Sequence, residues 1–281
     1  MQQMVSDIPA LPPRPVDGHK GTFGRVLVFG GSKDMLGAPV LAGTAALRMG
    51  SGLVQIALPR VNLLAALTIT PELVGFGLRG AGDDRKLMQA AASADALVIG
   101  PGLGKGRDAA RRLLKLITLE KPAVIDADAL NLLAMQRRWP SAFSLRAVLT
   151  PHPGEMQRLL KLLGRDGVPG DDAGRIAIAG EAARVFGQIV VFKGHRTVVA
   201  DAGKVYVNPT GDSTLAKAGS GDVLSGMIAS LMGQGMSGFD AAVLGVYLHG
   251  RAGEIAGREM GQRSALAREV IDCIPEAIGR A

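Results

Sequence analysis

The chain has 281 residues, 47% of them hydrophobic and 4% aromatic, enough apolar side chain for one large α/β core or two small ones. Its formal charge of +7 favours an anionic partner, but the basic residues are scattered and aromatics are scarce, which points to an anionic small molecule rather than nucleic acid. The single cysteine, Cys273, excludes an internal disulfide and any multi-cysteine zinc site, and no segment has the uninterrupted apolar length of a membrane span.

Residues 1–18 form a proline-rich arm (Pro9, Pro12, Pro13, Pro15) without the basic start and apolar core of a signal peptide, so the chain is expected in the cytoplasm. Arg25 to Phe29 is a short apolar run closed by two glycines, the pattern of a buried strand. A helix over Ala38 to Met49 and a strand over Leu53 to Leu58 follow. The alternation continues with helices near Asp84 to Ala92 and over Asp108 to Leu116, a short helix after Asp128, and strands at Ala96 to Ile99, Ala123 to Ile125 and Ala147 to Leu149. This alternation predicts a doubly wound, largely parallel sheet in one domain, residues 19–281. Helices Glu155 to Leu163 and Asp172 to Phe186 are joined by a flexible Gly164 to Gly170 connection. Three close strand signals, Ile189 to Lys193, Thr197 to Asp201 and Lys204 to Asn208, with a hairpin turn at Asp201-Ala202-Gly203, predict an antiparallel portion. The remainder is helical: Val223 to Met232, Asp240 to Ala256, and Ser264 to Ile278, interrupted by Pro275.

Ligands of open α/β sheets collect at the carboxyl ends of the strands, where this chain places unusual loops. Gly100-Pro101-Gly102-Leu103-Gly104 would let a ligand lie against backbone. In Asp126-Ala127-Asp128-Ala129-Leu130-Asn131 the carboxylates either hold magnesium through water or cap the next helix; Asp128 is assigned to capping and Asp126 left open. His152 is bracketed by Pro151 and Pro153, which fix its backbone, and Glu155 complements a helix start. Lys193-Gly194-His195-Arg196-Thr197 is either a phosphate clamp or a solvated hairpin. Gly219-Ser220-Gly221 before an apolar helix is a candidate anion site, in which Asp222 either meets a hydroxyl or caps the helix. His19 and His249 are left unassigned, with a structural role favoured over a catalytic one, and Arg107, Arg111, Arg112 and Lys115 are read as a solvated helix face.

Taken together and in order, His19 to Gly24, Gly100 to Gly104, Asp126 to Asn131, Thr150 to Glu155, Lys193 to Thr197 and Asn208 through Asp222 resemble the ADP-dependent NAD(P)H-hydrate dehydratases of the ribokinase-like superfamily. The resemblance implies a single-domain three-layer α/β/α fold with a mostly parallel central sheet and helices on both faces, in a stand-alone form without a fused epimerase domain. It implies conversion of the S epimer of hydrated NADH or NADPH back to the working dinucleotide, with ADP as co-substrate and magnesium on its phosphates. It also implies a homotetramer, and a separate NAD(P)H-hydrate epimerase acting on the same metabolite. By matching motif, Asp222 would be the base, Gly219, Ser220 and Gly221 the anion hole, and Lys193, Gly194, His195, Arg196 and Thr197 with Gly221 the nucleotide site. Ala38, Gly102, Gly104 and His152, with Asp222, would line the substrate. Asp212 stands where the family usually has Asn, so this side chain accepts but does not donate. The alternatives are a small-molecule kinase of the same superfamily, such as a hydroxyethylthiazole kinase, and a non-catalytic nucleotide-binding regulator.

Overall fold

The computed structural model describes residues 2–136, 143–165 and 167–279; residue 166 of the glycine-rich connection and the last two residues lie outside them. Ten strands form one sheet: β1 (Gln3–Val5), β2 (Arg25–Phe29), β3 (Leu53–Pro59), β4 (Val74–Leu78), β5 (Ala96–Ile99), β6 (Pro122–Ile125), β7 (Arg146–Leu149), β8 (Ile189–Phe192), β9 (Val198–Ala200) and β10 (Lys204–Val207). Their spatial order is β1-β10-β9-β8-β7-β6-β5-β2-β3-β4. From β8 to β4 every pairing is parallel, whereas β9 runs antiparallel to both β8 and β10. The expected antiparallel portion is therefore the β8-β9-β10 meander, with the Asp201 carboxylate accepting from the Gly203 and Lys204 amides at its turn.

The strands are apolar on both faces because both are covered. Val26 and Val28 of β2 face a core built with α1 (Gly37–Arg48), α8 (Ser220–Gly233), α9 (Gly238–Met260), α10 (Ala267–Asp272) and α11 (Ile274–Gly279). Leu27 and Phe29 face a second core with α3 (Asp84–Ser93), α4 (Arg107–Leu116), α5 (Ala127–Ala134), α6 (Pro153–Lys161) and α7 (Asp172–Phe186). The three layers match the sequence expectation, and no helix among the described residues is long and apolar enough to cross a membrane.

α1 and α8 approach so closely that a Cβ on Gly226 would lie 2.1 Å from the Ala42 carbonyl oxygen. Gly226→Ala should overpack this contact and cost about 1–3 kcal/mol. A lowered thermal midpoint is the expected reading, and an unchanged one would show that the two helices separate freely.

Two elements escape sequence reading. α2 (Leu63–Ile69) and β4 lie in a stretch with no regular signal, because Gly75 and Gly77 interrupt the apolar pattern of the strand. A Cβ at Gly77 would come within 2.5 Å of the Arg60 Cα, and one at Gly75 would lie 2.8 Å from the Leu63 side chain, so each glycine answers to a segment packed against the strand. The proline-rich arm also begins as a strand, with Gln3, Met4 and Val5 paired to Lys204, Val205 and Tyr206.

The basic face of α4 is corrected at Arg112, while Arg107 and Lys115 are exposed as expected. Arg112 is 8% exposed and Asp84 5%. Arg112 Nε lies 3.0 Å and Lys115 Nζ 2.9 Å from the Asp84 carboxylate, which Arg111 also contacts, and Arg112 donates to the Gly80 carbonyl. The spacing of 111, 112 and 115 puts all three cations over the start of α3, so they neutralise one buried acid. Asp84→Ala would strand the Arg112 charge, a loss of about 3–5 kcal/mol that denaturant unfolding reads directly.

Candidate active site

The carboxyl ends of β6, β7, β8 and β10 and the head of α8 surround a cleft of about 600 Å³. At its head Gly219, with φ +91°, turns the chain into α8, a conformation most side chains resist. The helix starts at Ser220, earlier than its apolar run suggests, so Gly221 and Asp222 occupy the first turn, where amides have no intrahelical acceptor. Of these amides Ser220 meets a carbonyl, that of Lys217 at 3.3 Å. The others, with the positive end of the helix dipole, are free to receive an anion, as the sequence suggests for this turn.

Asp222 is not the helix cap; Gly219 holds that position. No described residue hydrogen-bonds to the Asp222 carboxylate, which opens on the cleft. Burial and the nearby Asp126 carboxylate, outweighing the Lys193 ammonium, push its pKa up to about 7.

Below it lies a charge cluster assembled from distant parts of the chain. Lys193 follows β8 and places Nζ 2.7 Å from Asp126 Oδ1 and 3.9 Å from Glu155 Oε2. Asp126, 1% exposed, also accepts from the Ala127 amide and from Ser225 Oγ, each within hydrogen-bond distance. Burial works against the Lys193 ammonium, but the two carboxylates outweigh it and hold its pKa above the ordinary lysine value. Glu155 is pushed upward by burial, against the pull of Lys193. Nζ also lies 3.1 Å from where a Gly221 Cβ would be, against the first turn of α8.

The capping assignments exchange places. Asp126 caps α5, and Asp128 instead accepts from the Gly104 amide at 2.8 Å. His152 caps α6 through Nδ1, while Glu155 accepts from the His152 amide, a reciprocal capping box. Burial and then Lys193 hold the His152 imidazole below its usual range, so it is a fixed neutral group half in solvent.

The Lys193–Thr197 loop is held from behind by α7. Arg175 donates to the carbonyls of Phe192, Lys193 and His195, and Arg196 pairs with Asp172. Ala127 and Arg196 are the non-glycine residues with left-handed φ among those described, and both line the cleft. Such backbone strain collects at functional sites.

The cleft thus brings together Lys193, Gly194, His195, Arg196, Thr197, Gly219, Ser220, Gly221, Asp222 and His152. Ala38, Gly102 and Gly104 do not line it. Ala38 and Gly102 pack against each other, and Gly104 is tied to Asp128, the residue two beyond Asp126, which makes them a neighbouring patch on the same sheet edge. Sequence reasoning missed Asn208, which bonds the Thr210 and Val246 carbonyls, and His249, buried against Ser220. Asp212 acts only as an acceptor, from the Thr214 amide and Gln262.

This mostly parallel sheet covered on both faces, with the glycine-turned head of α8 over its carboxyl edge, is shared with the ribokinase-like class of α/β proteins, in which its structural neighbours place the fold. Over residues 26–276 the chain matches the NAD(P)H-hydrate dehydratase family, and it belongs to that family. It is 40% identical to an ADP-dependent (S)-NAD(P)H-hydrate dehydratase of Neisseria meningitidis, across 90% of this chain and 84% of that one. It is 45% identical to a bifunctional NAD(P)H-hydrate repair enzyme of Moorella thermoacetica, across 94% of this chain but 51% of the relative, so it spans about half the length of that protein. The structure of an ADP/ATP-dependent NAD(P)H-hydrate dehydratase of Bacillus subtilis, co-crystallised with ATP and Mg2+, overlays it with a TM-score of 0.82 at 32% identity, covering 96% of this chain and 94% of that one.

Proposed function

We propose that this protein dehydrates the S epimer of hydrated NADH and NADPH, using ADP and releasing AMP and phosphate. The observation that carries the reading is the Asp222 carboxylate, without a hydrogen-bond partner among the described residues and open to the cleft at the head of α8, where burial raises its pKa to about 7. Asp222 takes the proton of the substrate's ring hydroxyl as that oxygen attacks the terminal phosphorus of ADP. The P–O bond to AMP breaks as the new one forms. Amides at the head of α8 and the Lys193 ammonium neutralise charge on the transferring group, the main demand of phosphoryl transfer. The ring C–O bond then breaks, its electron pair leaves with phosphate, and loss of a proton from the adjacent carbon restores the double bond. Phosphate leaves far more readily than hydroxide.

The Lys193–Thr197 loop holds the nucleotide, and Ala38, Gly102, Gly104 and His152 extend the site toward the dinucleotide. Among the described residues no cluster of three His, Cys, Asp or Glu side chains is disposed to ligate an ion. A magnesium carried on nucleotide phosphates needs only one or two carboxylates, and Asp126 and Glu155 would reach it through water. Bound there, it would screen the phosphate charge. We further place the enzyme in the cytoplasm as a homotetramer, supplied with the S epimer by a separate epimerase.

Recovery of the near-ultraviolet absorbance of reduced nicotinamide from hydrated NADH, with ADP and magnesium, tests the reaction. Stoichiometric inorganic phosphate without a stable phosphate ester distinguishes it from a kinase; no recovery with either ADP or ATP would sink it. Because the base must be ionised, kcat/KM should rise with pH through about 7 and level off above. A profile flat from mildly acidic to mildly basic pH would remove Asp222 from that role.

A further inference from the structure

His249 is a buried titratable side chain of the cleft with no part in the transfer chemistry just described. It lies within α9, 7% exposed, where that helix crosses the head of α8. Its Nε2 is 3.2 Å from Ser220 Oγ. Burial, with a further push from Lys193, lowers its pKa to about 4 against the pull of the Ser220 backbone, so the imidazole is neutral and carries a single N–H. Which ring nitrogen carries it sets the direction of the contact with Ser220 Oγ.

The consequence falls on the serine. Its amide is already engaged with the Lys217 carbonyl, which leaves the hydroxyl as the group through which residue 220 can donate to an anion. A hydroxyl rotates to suit its partners. If Nε2 accepted from it, the hydroxyl hydrogen would be spent on His249; with Nε2–H donating to Oγ, that hydrogen is turned toward the cleft.

We propose that His249 is a positioning residue: by donating from Nε2 to the Ser220 oxygen, it directs the Ser220 hydroxyl hydrogen onto the phosphoryl group held at the head of α8. The proposal rests on the phosphoryl-transfer reading of this cleft. It differs from a packing role in one respect, because a histidine that only fills space acts independently of the Ser220 oxygen.

A double-mutant cycle separates the two. Wild type, His249→Phe, Ser220→Ala and the double variant are compared for kcat at saturating ADP and hydrated NADH, and for binding of ADP with magnesium by calorimetry. Thermal unfolding serves as the control for folding. His249→Phe should lower kcat about 10- to 100-fold, less than deleting a direct oxyanion donor can cost. The double variant should be no slower and bind ADP no more weakly than Ser220→Ala alone. His249→Gln, whose amide nitrogen extends toward the Nε2 position, should recover most of the rate. If His249→Phe does not fold, His249→Asn, too short to reach Ser220, replaces it in the cycle. Additive losses, or a His249→Phe enzyme with wild-type kcat, would overturn the proposal. Should the wild type bind ADP yet restore no NADH, the dehydratase reading falls and the ADP-binding cycle decides the role of His249. Should it bind neither ADP nor ATP, both fall.

Discussion

Asp222→Asn is expected to lower kcat by about 10²- to 10⁴-fold, the usual worth of a positioned general base, while ADP still binds. The same substitution should stabilise the resting protein at alkaline pH. In the folded state the Asp222 pKa is raised to about 7, mainly by burial, so the folded protein holds this proton more tightly than the unfolded chain does. The stability this group contributes is therefore present in acid and lost as pH climbs through about 7. Asparagine has no proton to lose there. The thermal midpoints of the two proteins should nearly coincide below about pH 4, separate in favour of Asp222→Asn as pH rises toward about 7, and keep a constant gap above it. A variant that is both inactive and less stable at every pH would mean that the residue serves the fold rather than the chemistry.

Lys193→Met should cost the fold about 3–5 kcal/mol, because it leaves the buried Asp126 carboxylate facing Glu155 without its cation. Asp126→Asn added to Lys193→Met should recover part of that loss, since the double change removes the stranded charge. Activity reports on the same cluster in a different way. Lys193 lowers the Asp222 pKa, so in any Lys193→Met enzyme that remains folded the acid limb of kcat/KM should move to higher pH. An acid limb that stays in place would show that Lys193 does not act on Asp222 through its charge. Denaturant melts and pH profiles of the three proteins answer both questions.

The local features of this fold are readable along the chain. Strands such as Ala96–Ile99, between Asp95 and Gly100, are continuous apolar runs, and α7 spans the same Asp172–Phe186 in sequence expectation and structure. β4 is not readable in this way. Its glycines imitate a loop, and their reasons, the Arg60 backbone against Gly77 and the Leu63 side chain against Gly75, belong to a segment that comes earlier in the chain. The basic stripe on α4 misleads for a similar cause, because a cation at a surface-like helical position is indistinguishable from a buried one until Asp84 is placed beneath it.

The candidate site divides along the same line. Which loops follow the strands, where the backbone must turn left-handed at Gly219, and which residue types sit on those loops are properties of neighbouring residues, so the sequence by itself determined them. It also determined their order, and through it the resemblance to the dehydratases. The tertiary structure alone decided which side chains meet. Asp126 and Lys193 are 67 residues apart, Asp126 and Ser225 99, and Ser220 and His249 29. Those meetings convert a capping aspartate into the counter-ion of a buried lysine, and a core histidine into the neighbour of the anion site. Charge and hydrogen-bond energies depend on separation in space and on exclusion of water, and for residues this far apart both are set by the sheet that gathers the strand ends into one cleft.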